Sequence, residues 1–241
     1  MISKLPNYFL RKIGLEITRY ISPIDRPRSP VLAALRKANI DLVVDVGANI
    51  GQFAQNLRDN GYSGRIVSFE PLSGAYETLL ERSRRDANWH IAPRCALGDH
   101  NGRININVAG NSQSSSILPM LEAHEQAAPD SAYVAKESAP LETLDRVSPV
   151  FLEDARAPFL KIDTQGYEWE VLDGARATLP QYRGLLIELS LVPLYEGQHL
   201  WMELIARLQE AGFTLWTIKP VFHDAEDGRT LQVDGLFLRN S

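Results

Sequence analysis

The sequence has one cysteine, no long apolar run and no surplus of basic residues, and each absence excludes a class of protein. Cys95 alone cannot form an internal disulfide or a cysteine-rich zinc site, so we expect a reducing, cytoplasmic setting. No stretch reaches the roughly 18 consecutive apolar residues of a membrane-spanning helix, and we expect no signal peptide. With 25 basic against 30 acidic residues, the net charge of -5 argues against nucleic acid as a partner.

The charge is distributed unevenly along the 241 residues. Residues 1–28 carry six basic and two acidic side chains, so this segment is net +4 and the remainder net -9. Apolar residues recur at helical spacing between positions 9 and 21, and we assign residues 1–40 to an N-terminal helical segment. The favoured interpretation is a helix packed on the main domain. The alternative is a basic amphipathic helix in peripheral contact with an anionic membrane.

From residue 41 onward, strand-like and helix-like segments alternate. The predicted strands are Leu42–Val46, Arg65–Phe69, Trp89–Leu97, Pro158–Ile162, Leu185–Leu189, Phe213–Ile218 and Gln232–Arg239. The predicted helices between them are Gln52–Asn60, Ser73–Arg85, Tyr167–Leu179 and Leu200–Ala211. Repeated strand–helix–strand units imply parallel pairing with right-handed crossovers. The fold class is therefore α/β, a Rossmann-like doubly wound sheet of seven main strands with helices on both faces.

Residues 98–145 interrupt this alternation within the domain assigned to residues 41–241. Arg103–Val108 alternates polar and apolar residues like a strand, and Asn111–Ser116 is polar without a period. A long irregular segment inside a compact domain is usually functional or mobile. We predict that this insertion contributes to the substrate region. Its serines could donate hydrogen bonds to a sugar, or they could belong to a solvated connecting loop.

A glycine-containing turn joins the first strand to the first helix of the domain. Gly47 and Gly51 allow a tight turn and close approach of a ligand, and the helix N-terminus that follows favours an anionic group. Glu70 ends the second strand, where an acid accepts hydrogen bonds from the ribose hydroxyls of a nucleoside. A dinucleotide fingerprint requires glycine where this chain has Asn49 and Gln52, which argues against an NAD-dependent oxidoreductase.

The spacing Asp45-x-Gly47-x-Asn49-x-Gly51 resembles motif I of class I S-adenosylmethionine-dependent methyltransferases. Further motifs follow in a characteristic order: Phe69-Glu70-Pro71, Ala96-Leu97-Gly98-Asp99, Leu141–Asp145, Leu160–Glu168, Val171–Ala175 and Asp234–Phe237. Over roughly residues 41–240 the series resembles the FkbM-type methyltransferases. The family more often has an acidic residue where this chain has Gln165.

The resemblance implies a sheet whose last strand is antiparallel to the others. It also implies S-adenosylmethionine as cofactor, with ribose at Glu70 and adenine beside Ala96 and Leu97. We assign eight residues to cofactor binding: Asp45, Gly47, Asn49, Gly51, Glu70, Pro71, Ala96 and Leu97. Family members are mostly O-methyltransferases that act on sugars or other hydroxylated parts of glycolipids, polysaccharides and secondary metabolites.

Three residues are candidates for the chemistry of methyl transfer. Asp163 ends the fourth main strand and is the leading candidate for a general base or metal ligand, its alternative being a helix cap. Glu188 ends the next strand, so the two carboxylates suit a divalent metal such as Mg²⁺ if those strands are neighbours; a carboxylate held by a helix N-terminus or an arginine is the alternative. His199 is a second candidate base, or a surface histidine.

The sequence thus predicts an O-methyltransferase acting on a hydroxyl of a small molecule, glycan or glycolipid. The competing hypothesis is a catalytically inactive nucleoside-binding or scaffold protein of the same fold. The oligomeric state has no signal in the sequence.

Overall fold

The computed structural model describes residues 29–239. The chain divides into two units between Pro30 and Val31, and the second unit contains nearly all of the described residues. The helix predicted between positions 9 and 21, with its membrane alternative, lies outside the described residues, and a domain boundary at residue 40 stays a prediction. In the part of the chain that is described, no helix is long and apolar enough to cross a membrane.

A seven-stranded sheet forms the centre of the second unit. Its strands are β1 (Leu42–Val46), β2 (Arg65–Phe69), β3 (Trp89–Ile91), β7 (Pro158–Ile162), β8 (Gly184–Ser190), β9 (Phe213–His223) and β10 (Thr230–Arg239). The strand order is β3-β2-β1-β7-β8-β10-β9. Strand β10 pairs antiparallel with both β8 and β9, and the pairs from β3 to β8 are parallel. The predicted doubly wound sheet with an antiparallel last strand is confirmed.

Both faces of the sheet are covered by apolar side chains. Leu42, Val44 and Val46 of β1 join one buried cluster, whereas Val43 joins the other. Because successive strand residues point to opposite faces, a continuous apolar run is what a strand buried on both sides requires. The helices that cover the faces are α1 (Pro30–Lys37), α2 (Gln52–Asp59), α3 (Ser73–Ser83), α5 (Leu144–Val147), α6 (Pro149–Leu152), α7 (Glu168–Asp173) and α8 (Trp201–Glu210).

The insertion forms a second, three-stranded sheet. Its strands are β4 (Ala96–Leu97), β5 (Gly102–Ala109) and β6 (Tyr133–Glu142), in the order β4-β6-β5, and α4 (Glu122–Ala127) lies between β5 and β6. The predicted single strand over 89–97 is therefore wrong, because the chain leaves the main sheet after Ile91. Pro93 follows there and lacks the N–H that would continue the ladder.

Two further boundaries differ from the sequence prediction. The helix predicted over 167–179 ends at Asp173, and a short 3₁₀ turn follows at Leu179–Gln181. Gly174, which follows the helix, packs closely against the insertion: a Cβ there would lie 1.9 Å from the carbonyl oxygen of Gly98. Strand β9 extends to His223, five residues beyond its predicted end at Ile218.

Candidate active site

Four parallel strands end at one edge of the main sheet and bring the predicted site residues together. In the strand register Phe69 is level with Val46, Val46 with Ile162, and Ile162 with Ile187. The next residue on each strand is, in spatial order, Glu70, Gly47, Asp163 and Glu188. The sheet changes winding direction between β1 and β7, and open α/β folds bind ligands in the crevice at that point.

A cleft of about 300 Å³ opens at this edge. Predicted site residues that line it are Gly47, Asn49, Glu70, Pro71, Ala96, Leu97, Asp163 and Glu188. Further lining residues, which the site prediction did not include, come from α2, the insertion and the antiparallel strand: Gln52 and Phe53; Ile106, Ser112, Gln113, Ser115 and Ser116; Asp234. Asp234 lay in a motif that the sequence singled out, and the serines lay in the polar stretch of the insertion.

Gly47 allows strands β1 and β7 to meet at the floor of the cleft. Its φ is +73°, and a Cβ on this residue would lie 1.8 Å from the carbonyl oxygen of Asp163. A side chain at position 47 would therefore separate the turn from the strand end that carries the candidate base. Gly51 has a different role, because it lies outside the cleft and packs against Trp89 and Leu79.

Glu70 is held in a fixed position by backbone donors. The N–H of Asn49 donates to Oε2 at 2.7 Å, and the N–H of Leu72 donates to Oε1 at 2.8 Å. Burial raises the pKa of Glu70 to about 7, although these two N–H groups oppose the shift. Each carboxylate oxygen keeps a second lone pair, so the side chain can still accept hydrogen bonds from a ligand in the cleft.

Asp45 and Lys161 form a buried pair beneath the cleft. They are register partners on β1 and β7, and the Lys161 Nζ lies 3.2 Å from Asp45 Oδ1. Burial raises the pKa of Asp45, and the Lys161 ammonium opposes that rise. Burial by itself would lower the pKa of Lys161, but the carboxylates of Asp163 and Asp45 raise it, so the ammonium is retained. Asp45 is fully buried and reaches the cleft only through Lys161.

Asp163 and Glu188 are joined by a side-chain amide. Gln165 Nε2 donates to Asp163 Oδ1 at 2.9 Å and to Glu188 Oε2 at 2.7 Å. Lys161 Nζ lies 3.4 Å from the other Asp163 oxygen, and Gln232 Nε2 donates to Glu188 Oε2 at 2.8 Å. Burial and then the negative charge of Asp163 raise the pKa of Glu188 well above its ordinary value. The two carboxyl groups therefore differ: Glu188 is buried and its pKa is raised, whereas Asp163 is partly exposed and lies beside an ammonium.

A compact turn after β7 presents these groups. Glu168 accepts hydrogen bonds from the N–H groups of Thr164, at 2.8 Å, and Gly166, at 3.0 Å. Burial raises the pKa of Glu168 to about 7. Gln165 adopts a left-handed conformation with φ of 54°, and Tyr195 donates its hydroxyl proton to Gln165 Oε1 at 2.8 Å. Asp163 is not a helix cap here, since its oxygens face Lys161 and Gln165.

The structure does not bring His199 to the cleft. Its ring stacks on Trp169 with 4.0 Å between ring centroids, and its Nδ1 lies 3.0 Å from Glu203 Oε1. The His199 side chain thus interacts with Trp169 and with Glu203 at the start of α8. Asp163 and Glu188 remain as the candidates for the chemistry.

The donor set between Asp163 and Glu188 does not fit a divalent metal. The amide nitrogen of Gln165 is hydrogen-bonded to both carboxyl groups, and an N–H donor cannot ligate a cation. Over residues 29–239, no three side chains of His, Cys, Asp or Glu are grouped to hold a metal ion. We derive no chemical step through Mg²⁺.

Part of the insertion lies over the cleft. Asn49 Nδ2 lies 3.3 Å from Ser112 Oγ, and Ser116 Oγ donates to the carbonyl oxygen of Gln165 at 2.6 Å. The serine-rich stretch is thus attached both to the glycine turn and to the turn after β7. Its side chains line the side of the cleft opposite the main sheet.

A sheet of order β3-β2-β1-β7-β8-β10-β9 with β10 antiparallel, carrying a glycine turn and a buried acid at its cleft, is an α/β fold of the class I methyltransferase type. The Methyltransferase FkbM domain profile matches residues 45–215. The chain belongs to the FkbM family of S-adenosylmethionine-dependent methyltransferases.

Solved structures with a similar fold are distant in sequence. TehB from Haemophilus influenzae matches with a TM-score of 0.46 and 12% identity over 97% of this chain and 66% of its own. The O-methyltransferase NcsB1 from neocarzinostatin biosynthesis, bound to S-adenosylmethionine and 2-hydroxy-5-methyl naphthoic acid, matches with 0.44 and 12% over 88% and 52%. Precorrin-6y C5,15-methyltransferase from Geobacter metallireducens GS-15 matches with 0.45 and 12% over 95% and 95%. No curated protein sequence matches the chain.

The chain thus spans 66% of TehB and 52% of NcsB1.

Proposed function

We propose that this protein is an O-methyltransferase that transfers a methyl group from S-adenosylmethionine to a hydroxyl of a sugar, glycolipid or secondary metabolite. One observation carries the proposal: a buried acid suited to ribose and an accessible carboxylate occupy the same cleft edge, on either side of a glycine turn. Glu70 is almost completely buried, whereas the Asp163 side chain is 38% exposed. We assign the first to cofactor binding and the second to the reaction.

The cleft has the features that an adenosyl ligand requires. Glu70 would accept hydrogen bonds from the ribose hydroxyls, and Ala96 and Leu97 provide apolar surface for a base. Gly47 and Asn49 line the turn next to them. When bound, S-adenosylmethionine supplies an electrophilic methyl group.

Asp163 is the group that we assign to proton removal. A sugar hydroxyl is a poor nucleophile, so a base near the acceptor oxygen lowers the barrier. The Asp163 carboxylate would take the acceptor proton as the acceptor oxygen bonds to the methyl carbon, and the methyl–sulfur bond would break to release S-adenosylhomocysteine. Lys161, 3.4 Å away, holds the carboxylate in place. The hydroxyl and amide groups of Ser112, Gln113 and Ser115 supply hydrogen bonds to an acceptor that carries further hydroxyls.

The test separates binding from turnover. Glu70→Ala is expected to weaken S-adenosylhomocysteine binding in calorimetry by about 10- to 100-fold, because hydrogen bonds to a charged group contribute about 1.5–3 kcal/mol. Asp163→Ala is expected to keep that affinity and to lower methylation of hydroxylated acceptors, followed by mass spectrometry, by about 10²–10⁴-fold. Asp154→Asn, which changes an exposed carboxylate away from the cleft, is the control and should alter neither quantity.

Full turnover in Asp163→Ala would refute the assignment of the base. Binding of S-adenosylhomocysteine without methylation of any acceptor in a broad panel would favour the scaffold alternative. Undiminished binding by Glu70→Ala would exclude the cofactor site itself.

A further inference from the structure

We propose that Gln165 is a positioning residue whose amide takes the place of a divalent cation between Asp163 and Glu188. The protein then aligns its two carboxyl groups without a metal, and a single change of amide to carboxylate at position 165 creates a metal site. The consequence for catalysis rests on the proposed O-methyl transfer, whereas the exclusion of a cation does not.

The amide makes the contacts that a bridging cation would make. Its nitrogen carries two N–H groups, and one is directed to each carboxyl group at 2.9 and 2.7 Å. Two further positive or N–H groups lie at the acids, since Lys161 lies 3.4 Å from Asp163 and Gln232 donates to the same Glu188 oxygen as Gln165. The negative charge at this edge is therefore compensated from within the protein.

The orientation of the amide is determined by a tyrosine. Tyr195 is buried, and its hydroxyl donates to Gln165 Oε1 at 2.8 Å. If the amide were rotated by half a turn, its carbonyl oxygen would face two carboxyl groups and its N–H groups would face the hydroxyl. The tyrosine hydroxyl can donate or accept, but the amide oxygen would then face the acceptor oxygens of Asp163 and Glu188, so the observed orientation is favoured.

The backbone of Gln165 is held as firmly as its side chain. Its carbonyl oxygen accepts the Ser116 hydroxyl at 2.6 Å, and the next residue, Gly166, donates its N–H to Glu168 at 3.0 Å. The backbone at position 165 is left-handed, and the side chain lies between Asp163, which follows β7, and Glu188 of β8. We expect a side chain of the same length at this position to lie in the same place.

The difference between amide and carboxylate then decides cation binding. Glutamate has nearly the same shape as glutamine but offers two oxygens and no N–H. In the wild type a hard cation between the two acids meets the N–H donors of Gln165. In Gln165→Glu it meets three carboxyl groups, the type of ligand that Mg²⁺ and Mn²⁺ prefer.

Mn²⁺ binding measured by electron paramagnetic resonance tests this with the full-length protein and the metal alone. We expect the wild type to leave Mn²⁺ free at about 1 mM, and Gln165→Glu to bind one ion with a dissociation constant of about 10⁻⁴ M or lower, in the range of weak oxygen-ligand sites. Adding Glu188→Gln to that variant should abolish binding. Gln113→Glu is the matched control, since it adds the same charge at the cleft without placing it between the two acids.

Gln165→Ala provides a second route if Gln165→Glu does not fold. Removal of the amide leaves Asp163 and Glu188 facing each other, so weak Mn²⁺ binding that the wild type lacks is expected. Binding of Mn²⁺ in the cleft of the wild type would overturn the proposal. So would the absence of Mn²⁺ binding in both Gln165→Glu and Gln165→Ala when both variants are folded. Titration of the same samples with S-adenosylhomocysteine reports on the proposed cofactor site separately.

Discussion

The ionisation of Glu70 ties cofactor affinity to pH at the scale of a single residue. Its carboxyl group lies beside the glycine turn, where burial raises its pKa to about 7. The two backbone N–H groups that donate hydrogen bonds to it stabilise the carboxylate form, and hydrogen bonds from ribose hydroxyls would stabilise that form further. A ligand that donates to Glu70 therefore binds the deprotonated protein more tightly.

We accordingly expect S-adenosylhomocysteine affinity to decline as pH falls through about 7. The unbound carboxyl group takes up a proton in that range, and the proton must leave before ribose can donate to both oxygens. Isothermal titration calorimetry between pH 5 and 8, in buffers of different ionisation enthalpy, measures the affinity and the proton released.

The Glu70→Gln variant distinguishes the titration of Glu70 from that of the other buried acids in the cleft. Burial followed by the charge of Asp163 raises the pKa of Asp234 to about 6, and that group titrates nearby. The Gln variant should bind more weakly at pH 8 and should lose the pH dependence near 7. A profile that persists unchanged in Glu70→Gln assigns the titration to another residue.

At the scale of secondary-structure elements, the cleft depends on how closely β1 and β7 approach each other. The approach is made at Gly47, whose Cα lies against the carbonyl group of Asp163. An alanine there must both adopt a positive φ and displace the end of β7.

Gly47→Ala should therefore destabilise the protein by about 2–5 kcal/mol and abolish measurable binding of S-adenosylhomocysteine. Gly74→Ala is the matched control, because Gly74 lies in α3 and a Cβ there meets nothing within 4 Å. In an exposed helix the same substitution is expected to stabilise by about 0.5–1 kcal/mol. Urea unfolding and calorimetry of both variants measure the contrast, and equal effects in the two would contradict this role of Gly47.

Prediction from sequence succeeded where one local signal decides the element. The predicted bounds of β1, β2 and β7 agree with the structure, because these central strands are short apolar runs buried on both faces. Strand β6 has no comparable run of buried apolar residues in its sequence. Most of its first six residues are exposed, and Glu137 among them forms an ion pair with Arg94. Its existence depends on β5, with which it pairs across the whole insertion.

The site shows the same division between local and tertiary information. Strand ends identified Asp163 and Glu188 as candidates, and the parallel pairing of β7 with β8 places them side by side. The hydrogen bond between Tyr195 and Gln165 joins residues 30 positions apart, and no spacing rule in the sequence predicts it. His199 had the right residue type for a base, but its stacking on Trp169 depends on how α7 and α8 pack.

At the scale of the whole molecule, a buried histidine connects the insertion to the main sheet. His124 on α4 is 2% exposed, and its ring lies 5.1 Å from the rings of both Tyr195 and Phe222, measured between centroids. Its Nδ1 has no hydrogen-bond partner among residues 29–239. Burial lowers the pKa of His124 to about 4, so the folded protein keeps this ring neutral.

We expect His124 to make the protein sensitive to mild acid. In the unfolded chain the imidazole takes up a proton below its ordinary pKa of about 6.5, whereas the folded chain does not until about pH 4. The unfolded state thus binds more protons in this window, and the free energy of unfolding falls by up to about 3 kcal/mol as pH drops through it.

Urea unfolding between pH 7 and pH 4 measures this loss of stability. His124→Phe, which keeps an aromatic ring beside Tyr195 and Phe222, should remove the part of the loss that is due to His124. The control is His90→Phe, which makes the same substitution at an exposed position of β3, outside the contact with Tyr195 and Phe222. If the free energy of unfolding of His124→Phe depends on pH as it does in the wild type, other groups cause the acid sensitivity. The contact of His124 with Tyr195 and Phe222 then does not depend on a neutral imidazole.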